Sequence, residues 1–226
     1  MGNDDRDDST EKGFSFSNVK EFDRHISQSI VGYAGLVSDI ISVSEYFVES
    51  GTQVYDLGCS TGKLVKTLAH KYPDLVIHGI ENELNFKEHL STKDNAVFHF
   101  KDVFDCDIRN TNFVTSVFTL QFLPIQDRKK LLEKIYSSMN KGGAFVLCEK
   151  MLAGDSKFQD MLSFMYYDHK RQHFTDTAIL EKEKSLRSIM KLLTLKEYVD
   201  MLHSVGFSRV EIFWRRYIFT GVIAIK

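Results

Sequence analysis

The chain has 226 residues, 43% of them hydrophobic, and a formal net charge of -2. That length supports one sizeable core, and the slightly negative charge excludes a protein that coats nucleic acid through bulk electrostatics, although a local basic patch stays possible. No stretch approaches the roughly 18 consecutive apolar residues of a membrane span, so no membrane partner is expected.

The cysteines and the N-terminus both bear on the cellular compartment. Cys59, Cys106 and Cys148 are odd in number and form no CxxC pair, which is typical of a reducing compartment. The first thirteen residues are acidic and lack the basic start and apolar stretch of a signal peptide. We therefore predict a disordered tail over 1–13, one domain over 14–226 and a cytoplasmic protein.

The elements alternate between strands and helices along most of the chain. Apolar periodicity predicts two helices within 19–48, strands at 52–57, 75–81, 96–100, 114–121 and 144–148, helices at 63–71, 83–90 and 128–139, a helical insertion over about 155–204, and strands at 207–214 and 217–225. This order predicts an α/β fold: a mostly parallel sheet with helices on both faces and a C-terminal antiparallel hairpin. Seven strands so arranged form the Rossmann-like sheet of class I methyltransferases.

The strongest local signal is the segment VYDLGCSTG, which ends the first predicted strand and opens a helix. A glycine after the strand lets a ligand approach the backbone, and a second glycine permits tight entry into the helix. An acid at the strand end is placed to hold an ammonium group. An ordinary strand-to-helix loop is the alternative for this turn taken alone. The cofactor contacts predicted in this loop are Asp56, Gly58, Cys59, Ser60 and Gly62.

A second acidic signal favours a nucleoside ligand. Glu81 ends the next strand about 20 residues after the glycine turn, the offset at which a carboxylate binds ribose hydroxyls. Asp102 and its neighbour Val103 follow the third strand and are predicted to lie beside the adenine. The GxGxxG pattern typical of nicotinamide cofactors is absent, which favours a different nucleoside.

Two further segments are candidates for the rest of a pocket. FTLQFL follows the fourth strand; its apolar side chains fit core packing, and Phe118 and Gln121 are counted among the cofactor contacts. YYDHKR, at 166–171, fits either a grip on an anionic substrate or a solvated helix face. The histidines show no ligand-pair spacing, so no metal is predicted.

These segments together resemble one family. GTQVYDLGCS, FTLQFL, KIY-x4-N-x-GGA-x-VL-x-EK, the D-x-KR at 168–171 and a final HxxGF are similar to carboxy-S-adenosylmethionine synthase, over about 22–226. That enzyme serves the carboxymethoxy modification of the tRNA wobble uridine. The resemblance implies a class I methyltransferase fold, S-adenosylmethionine carboxylated with prephenate as the carboxyl source, a homodimer and no metal.

The resemblance also implies roles for individual residues, and at two positions this sequence differs from the family. Tyr33 matches a family tyrosine near the reacting centre, and Glu81 replaces an aspartate that holds the ribose. Val117 stands where the family has asparagine, and Glu183 stands where the family has an arginine that clamps the new carboxylate. Two facing carboxylates repel each other, so we expect Arg187, one helical turn on, to serve in place of that arginine.

Three functions stay open at this point. The first is a transferase that moves the methyl group of S-adenosylmethionine to a small molecule or RNA, which the two departures favour. The second is carboxy-S-adenosylmethionine synthase itself, which the overall similarity and Tyr33 favour. The third is a protein that binds the cofactor without turnover, as a partner subunit.

Overall fold

The computed structural model describes residues 19–226, with side chains from Phe22 onward, so the predicted tail over 1–13 lies outside the described residues. Seven strands form one sheet in the order β3-β2-β1-β4-β5-β7-β6. Neighbours within the first five positions run parallel, whereas β7 runs antiparallel to both β5 and β6. This confirms the predicted fold class. The strands are β1 (Gln53–Leu57), β2 (Val76–Glu81), β3 (Ala96–Phe100), β4 (Thr111–Val117), β5 (Met139–Lys150), β6 (Arg209–Arg216) and β7 (Phe219–Ile225).

Helices cover both faces of the sheet because side chains alternate between its faces along each strand. One apolar cluster joins α2, α3 and α5 to one face, and a second joins α4 and α7 to the other. The helices are α1 (Val19–Ser29), α2 (Tyr33–Ser44), α3 (Lys63–Lys71), α4 (Ile125–Ser138), α5 (Ser156–Lys170), α6 (Asp176–Ile189) and α7 (Leu195–Val205).

Three predicted elements differ clearly in type or extent, and the helix expected over 128–139 and the two C-terminal strands differ by two or three residues at an end. The helix expected over 83–90 is a 3₁₀ turn, Leu84–His89. The strand expected over 114–121 ends at Val117, because Phe118 has a φ of +59° and turns the chain out of the sheet. The strand expected to begin at Ala144 begins at Met139, immediately after α4, so the NKGG segment is part of β5.

The N-terminal helices are separated at one glycine. Gly32 has a φ of +74° and precedes α2, whereas Gly35, the other expected break, lies inside that helix. In residues 19–226 no single helix is long and apolar enough to cross a bilayer; α1 and α2 pass such a test only as a pair bent by 97°.

Candidate functional site

A cavity of about 360 Å³ lies at the carboxyl ends of β1, β2, β4 and β5, where ligands bind in open α/β sheets. Helices α1, α5 and α6 close its other side. The cavity wall contains seven of the twelve predicted site residues, which are Gly58, Ser60, Glu81, Asp102, Val103, Phe118 and Gln121.

The glycine turn after β1 forms the floor of the cavity. Gly58 has a φ of +78°, and its backbone N–H donates to the Ile80 carbonyl at 2.8 Å. A Cβ built on Gly58 would lie 2.2 Å from Oγ1 of Thr119. This position therefore requires glycine for two reasons: its backbone conformation, and the close approach of Thr119 from the segment that follows β4.

Glu81 is oriented entirely by backbone donors. Its Oε2 accepts the N–H of Ser60 at 2.8 Å, and its Oε1 accepts those of Asn82 and Glu83 at 2.9 and 2.8 Å. Burial raises the pKa of this carboxyl, and the three backbone donors act in the opposite direction. The result is a preorganised acceptor at the end of β2, which suits a diol donor.

Asp102 lies beside Glu81 at the end of β3. Its Oδ1 accepts the N–H of Phe104 at 2.9 Å, and Nδ2 of Asn82 lies 3.4 Å from Oδ2. Val103, which follows it, is buried and also contributes to the wall. This end of the cavity therefore combines carboxylate acceptors with an apolar surface.

Asp56 and Tyr33 lie outside the residues that line the cavity. Asp56 is buried, accepts a hydrogen bond from Oγ1 of Thr115 at 2.7 Å, and has its pKa raised by burial to about 7. Burial, and secondarily the charge of Asp56, raises the pKa of the Tyr33 phenol. The Tyr33 ring centroid lies 6.5 Å from that of Phe118, which does line the cavity. Both residues form a layer behind the wall.

Cys59 and Gly62 also support the loop without lining the cavity. Cys59 is buried, and burial raises the pKa of its thiol, so it is a small packing residue and not an activated nucleophile. Gly62 has a φ of +73° and precedes α3; a Cβ there would lie 2.6 Å from the ring of Phe98.

The segment after β4 forms a second wall and is held by buried polar groups. Glu149 accepts the N–H groups of Leu120 and Gln121 at 2.8 and 3.1 Å, and burial raises its pKa to about 8. Oε1 of Gln121 accepts the N–H of Lys150 at 3.0 Å. Gln121 therefore joins this segment to the end of β5.

The opposite end of the cavity is basic. Lys150 and Lys182 both line it, and Nζ of Lys150 lies 3.0 and 2.9 Å from the two carboxylate oxygens of Glu183. Burial lowers the pKa of Lys150, and the charge of Glu183 opposes that shift. Nζ of Lys182 contacts Nε2 of His25, from α1.

Arg187, which was expected to serve in place of the family arginine, lies outside the cavity lining. Its side chain is exposed and does not line the cavity, although it lies one turn from Glu183 on α6. Glu183 faces inward and pairs with Lys150, and the charge of Arg187 opposes that of Glu183 by lowering the pKa of Lys150. The role expected of Arg187 therefore stays a prediction, for a side chain that lies outside the cavity lining.

Sequence reasoning missed the contribution of α1 to the cavity. This helix has apolar residues at helical spacing, which predicts burial but not the surface it covers. Oγ of Ser29 is buried at the cavity without a hydrogen-bond partner among the described residues. The five lining residues from this part of the chain are Phe22, His25, Ile26, Ser29 and Ile30.

Comparison with known proteins defines the class. Residues 54–143, which contain the glycine turn, Glu81 and Asp102, match the family model described as a methyltransferase domain. Human N-acetylserotonin methyltransferase in complex with SAM has a TM-score of 0.64 at 19% identity, covering 94% of this chain and 56% of that one. The plantazolicin methyltransferase BpumL has a TM-score of 0.65 at 12% identity, covering 92% and 90%. The protein has the class I methyltransferase fold.

Near full-length relatives then define the family. The carboxy-S-adenosyl-L-methionine synthase of Staphylococcus epidermidis is 32% identical over 213 residues, covering 92% of this chain and 93% of the relative. That of Actinobacillus succinogenes is 34% identical, covering 94% and 93%. The chain belongs to the carboxy-S-adenosyl-L-methionine synthase family and is thus a member of a family of S-adenosylmethionine-dependent transferases.

Proposed function

We propose that this protein binds S-adenosylmethionine in the cavity and transfers its methyl group to a small-molecule or RNA acceptor. The observation that carries the proposal is the division of one cavity into two ends. Carboxylates oriented by backbone donors lie at the end formed by β2 and β3, and polar side chains from β5 and α6 lie at the other. One ligand and a second reactant fit such an arrangement.

The predicted cofactor contacts take distinct roles in this proposal. Glu81 accepts the ribose hydroxyls, and Asp102 with Val103 holds the adenine. Gly58 and Ser60 present the backbone of the turn to the methionine portion, since both line the cavity. The end of the cavity formed by β2 and β3 offers two carboxylates beside an apolar surface, and in that respect the residues fit a nucleoside cofactor.

The residues behind the wall act by position. Tyr33 packs behind the ring of Phe118, Asp56 is hydrogen-bonded to Thr115 of β4, and Gln121 contributes to the wall near Lys150. When bound, the cofactor supplies a sulfonium methyl group. That methyl group would pass to a nucleophilic atom of the acceptor as the carbon–sulfur bond breaks, which would leave a neutral thioether, and the acceptor would lose its proton. Alignment of the acceptor supplies most of the rate acceleration.

Carboxy-S-adenosylmethionine synthesis from S-adenosylmethionine and prephenate is the second candidate, and similarity along nearly the whole chain favours it. Two residues argue against it. Val117 lines the cavity where the resemblance implies asparagine, and Glu183 is paired with Lys150 where the resemblance implies an arginine.

Mass spectrometry of the nucleoside released after incubation with S-adenosylmethionine and prephenate separates the candidates. Unmodified S-adenosylmethionine supports the methyltransferase proposal, and methyl transfer to RNA or metabolite extracts then identifies the acceptor. A carboxylated nucleoside establishes the second candidate. Binding with neither reaction leaves a cofactor-binding partner subunit, and absence of any bound nucleoside overturns the proposal.

A cytoplasmic homodimer belongs to the same proposal. Helix α5 exposes a row of large apolar side chains at helical spacing, which suits burial against a second copy. Light scattering after size exclusion measures the mass directly, and a monomer of 26.1 kDa would contradict the dimer. The exposed apolar residues of this helix are Phe158, Met161, Phe164 and Met165.

A further inference from the structure

Lys150 and Glu183 form a buried ion pair at the basic end of the cavity. Their side chains are 5% and 8% exposed, and both oxygens of the carboxylate lie within 3.0 Å of the ammonium. The ring of Tyr166 covers another side of Nζ, with its centroid at 5.3 Å. The charge of Lys150 is therefore compensated inside the protein.

The ion pair lies where the proposed function places the transferable group of the cofactor, and the inference rests on that function. If Glu81 and Asp102 hold the nucleoside, the sulfonium and its transferable group extend past Phe118 toward the opposite end. Lys150 lies at that end, linked to Gln121 through its backbone N–H. The group carried by the sulfur therefore meets the wall that Lys150 forms.

We infer that Glu183 is a specificity-determining residue, which neutralises Lys150 so that the cavity accepts a sulfonium carrying an uncharged methyl group and disfavours one carrying a carboxymethyl group. A ligand carboxylate would have to share the ammonium of Lys150 with Glu183. Two carboxylates on one buried cation repel each other, and displacing Glu183 would leave its charge buried without a partner.

Other basic groups surround the pair. Lys182 lines the cavity against His25, and Lys170, 1% exposed, has no hydrogen-bond partner for Nζ among the described residues. These charges are the same in every variant that differs only at Glu183. A comparison of variants that differ only at Glu183 therefore isolates its contribution.

The test is calorimetric titration of the full chain with S-adenosylmethionine and with carboxy-S-adenosylmethionine. We expect the unsubstituted protein to bind the methyl form more tightly, by about tenfold or more. Glu183→Gln should shift the ratio of the two dissociation constants toward the carboxylated ligand by about tenfold or more, because Lys150 then lacks its partner. Glu181→Gln, at an exposed position of the same helix, should leave the ratio unchanged.

A second variant covers the case in which Glu183→Gln does not fold. The double substitution Lys150→Met and Glu183→Met removes both charges, and replacement of a buried pair by apolar residues is commonly tolerated. Since the double substitution removes one positive and one negative charge together, the double variant should keep the preference for the methyl form. A preference for the carboxylated ligand in the double variant overturns the inference.

The remaining outcomes are distinct. Equal ratios in the unsubstituted protein and Glu183→Gln overturn the inference and leave the proposed cofactor in place. Tighter binding of the carboxylated ligand by the unsubstituted protein also overturns it and supports the second candidate function. Failure to bind either nucleoside overturns the proposed function, and the inference with it.

Discussion

The backbone N–H of Ser60 donates to Oε2 of Glu81 at 2.8 Å. This bond joins the glycine turn after β1 to the carboxylate that ends β2, and these two elements lie side by side in the sheet. Two signals that are about 20 residues apart in the sequence are thus one structural unit. A change at either position should affect the other.

Removal of the Glu81 carboxylate tests the nucleoside end of the cavity. We expect Glu81→Ala to weaken binding of S-adenosylmethionine by about tenfold to a hundredfold, since hydrogen bonds to a charged group contribute roughly 1.5–3 kcal/mol. Calorimetric titration measures the change. Glu88→Ala, at an exposed position on the following 3₁₀ turn, is the control, and equal affinities in the two variants would contradict the assignment.

A methyl group at Gly58 tests the close approach of the second wall. Gly58→Ala combines an unfavourable positive φ with a contact of 2.2 Å to Thr119. Gly51 has nearly the same φ, +77°, and nothing within 4 Å of an added Cβ, so Gly51→Ala isolates the backbone effect. In urea unfolding we expect a loss of about 1–2 kcal/mol for Gly51→Ala and about 1–3 kcal/mol more for Gly58→Ala. Similar losses would show that Thr119 moves away freely.

Asp56 makes stability depend on pH in a defined direction. Its pKa in the folded protein, about 7, is above the ordinary value of 3.8, so the folded state favours the protonated form. This contribution is fully present below pH about 4 and is lost as the pH rises through about 7. Between pH 5 and 8 the free energy of unfolding should fall by roughly 2–3 kcal/mol more in the unsubstituted protein than in Asp56→Asn.

Urea unfolding of the cofactor-free protein at several pH values measures this difference. Asp74→Asn, at an exposed position, should keep the pH dependence of the unsubstituted protein. If the free energy of unfolding changed with pH in the same way in Asp56→Asn and in the unsubstituted protein, Asp56 would be ionised across the whole range from pH 5 to 8, which contradicts the prediction.

Arg128 holds the second wall against the segment between α6 and α7. This fully buried side chain donates to the carbonyls of Leu123, Gln121 and Lys191, and lies close to the charge of Glu149. We expect Arg128→Met to destabilise the fold by about 3–5 kcal/mol, because it leaves buried acceptors without their cation. Thermal and urea unfolding measure the loss. Arg209→Met, at an exposed position of β6, should change stability by less than about 0.5 kcal/mol.

Much of the fold was predictable because local patterns determined it. The bounds of α3 and β3 matched the expectation residue for residue, since a glycine turn precedes α3 and the β3 segment is a short apolar run between polar residues. The predicted bounds were wrong where the backbone conformation departs from what the apolar pattern of the sequence indicates. Phe118 continues the apolar run of β4 in the sequence, but its positive φ ends the strand.

Sequence by itself determined the order of elements, the glycine turn and the acids at the ends of β2 and β3, because each depends on neighbours along the chain. The tertiary structure alone decided that α1 closes the cavity and that Lys150 pairs with Glu183, 33 residues away. It also decided that Arg187 remains exposed, although its helical spacing from Glu183 suggested a shared face. The buried side of a helix depends on the surface against which it packs, and that surface comes from distant parts of the chain.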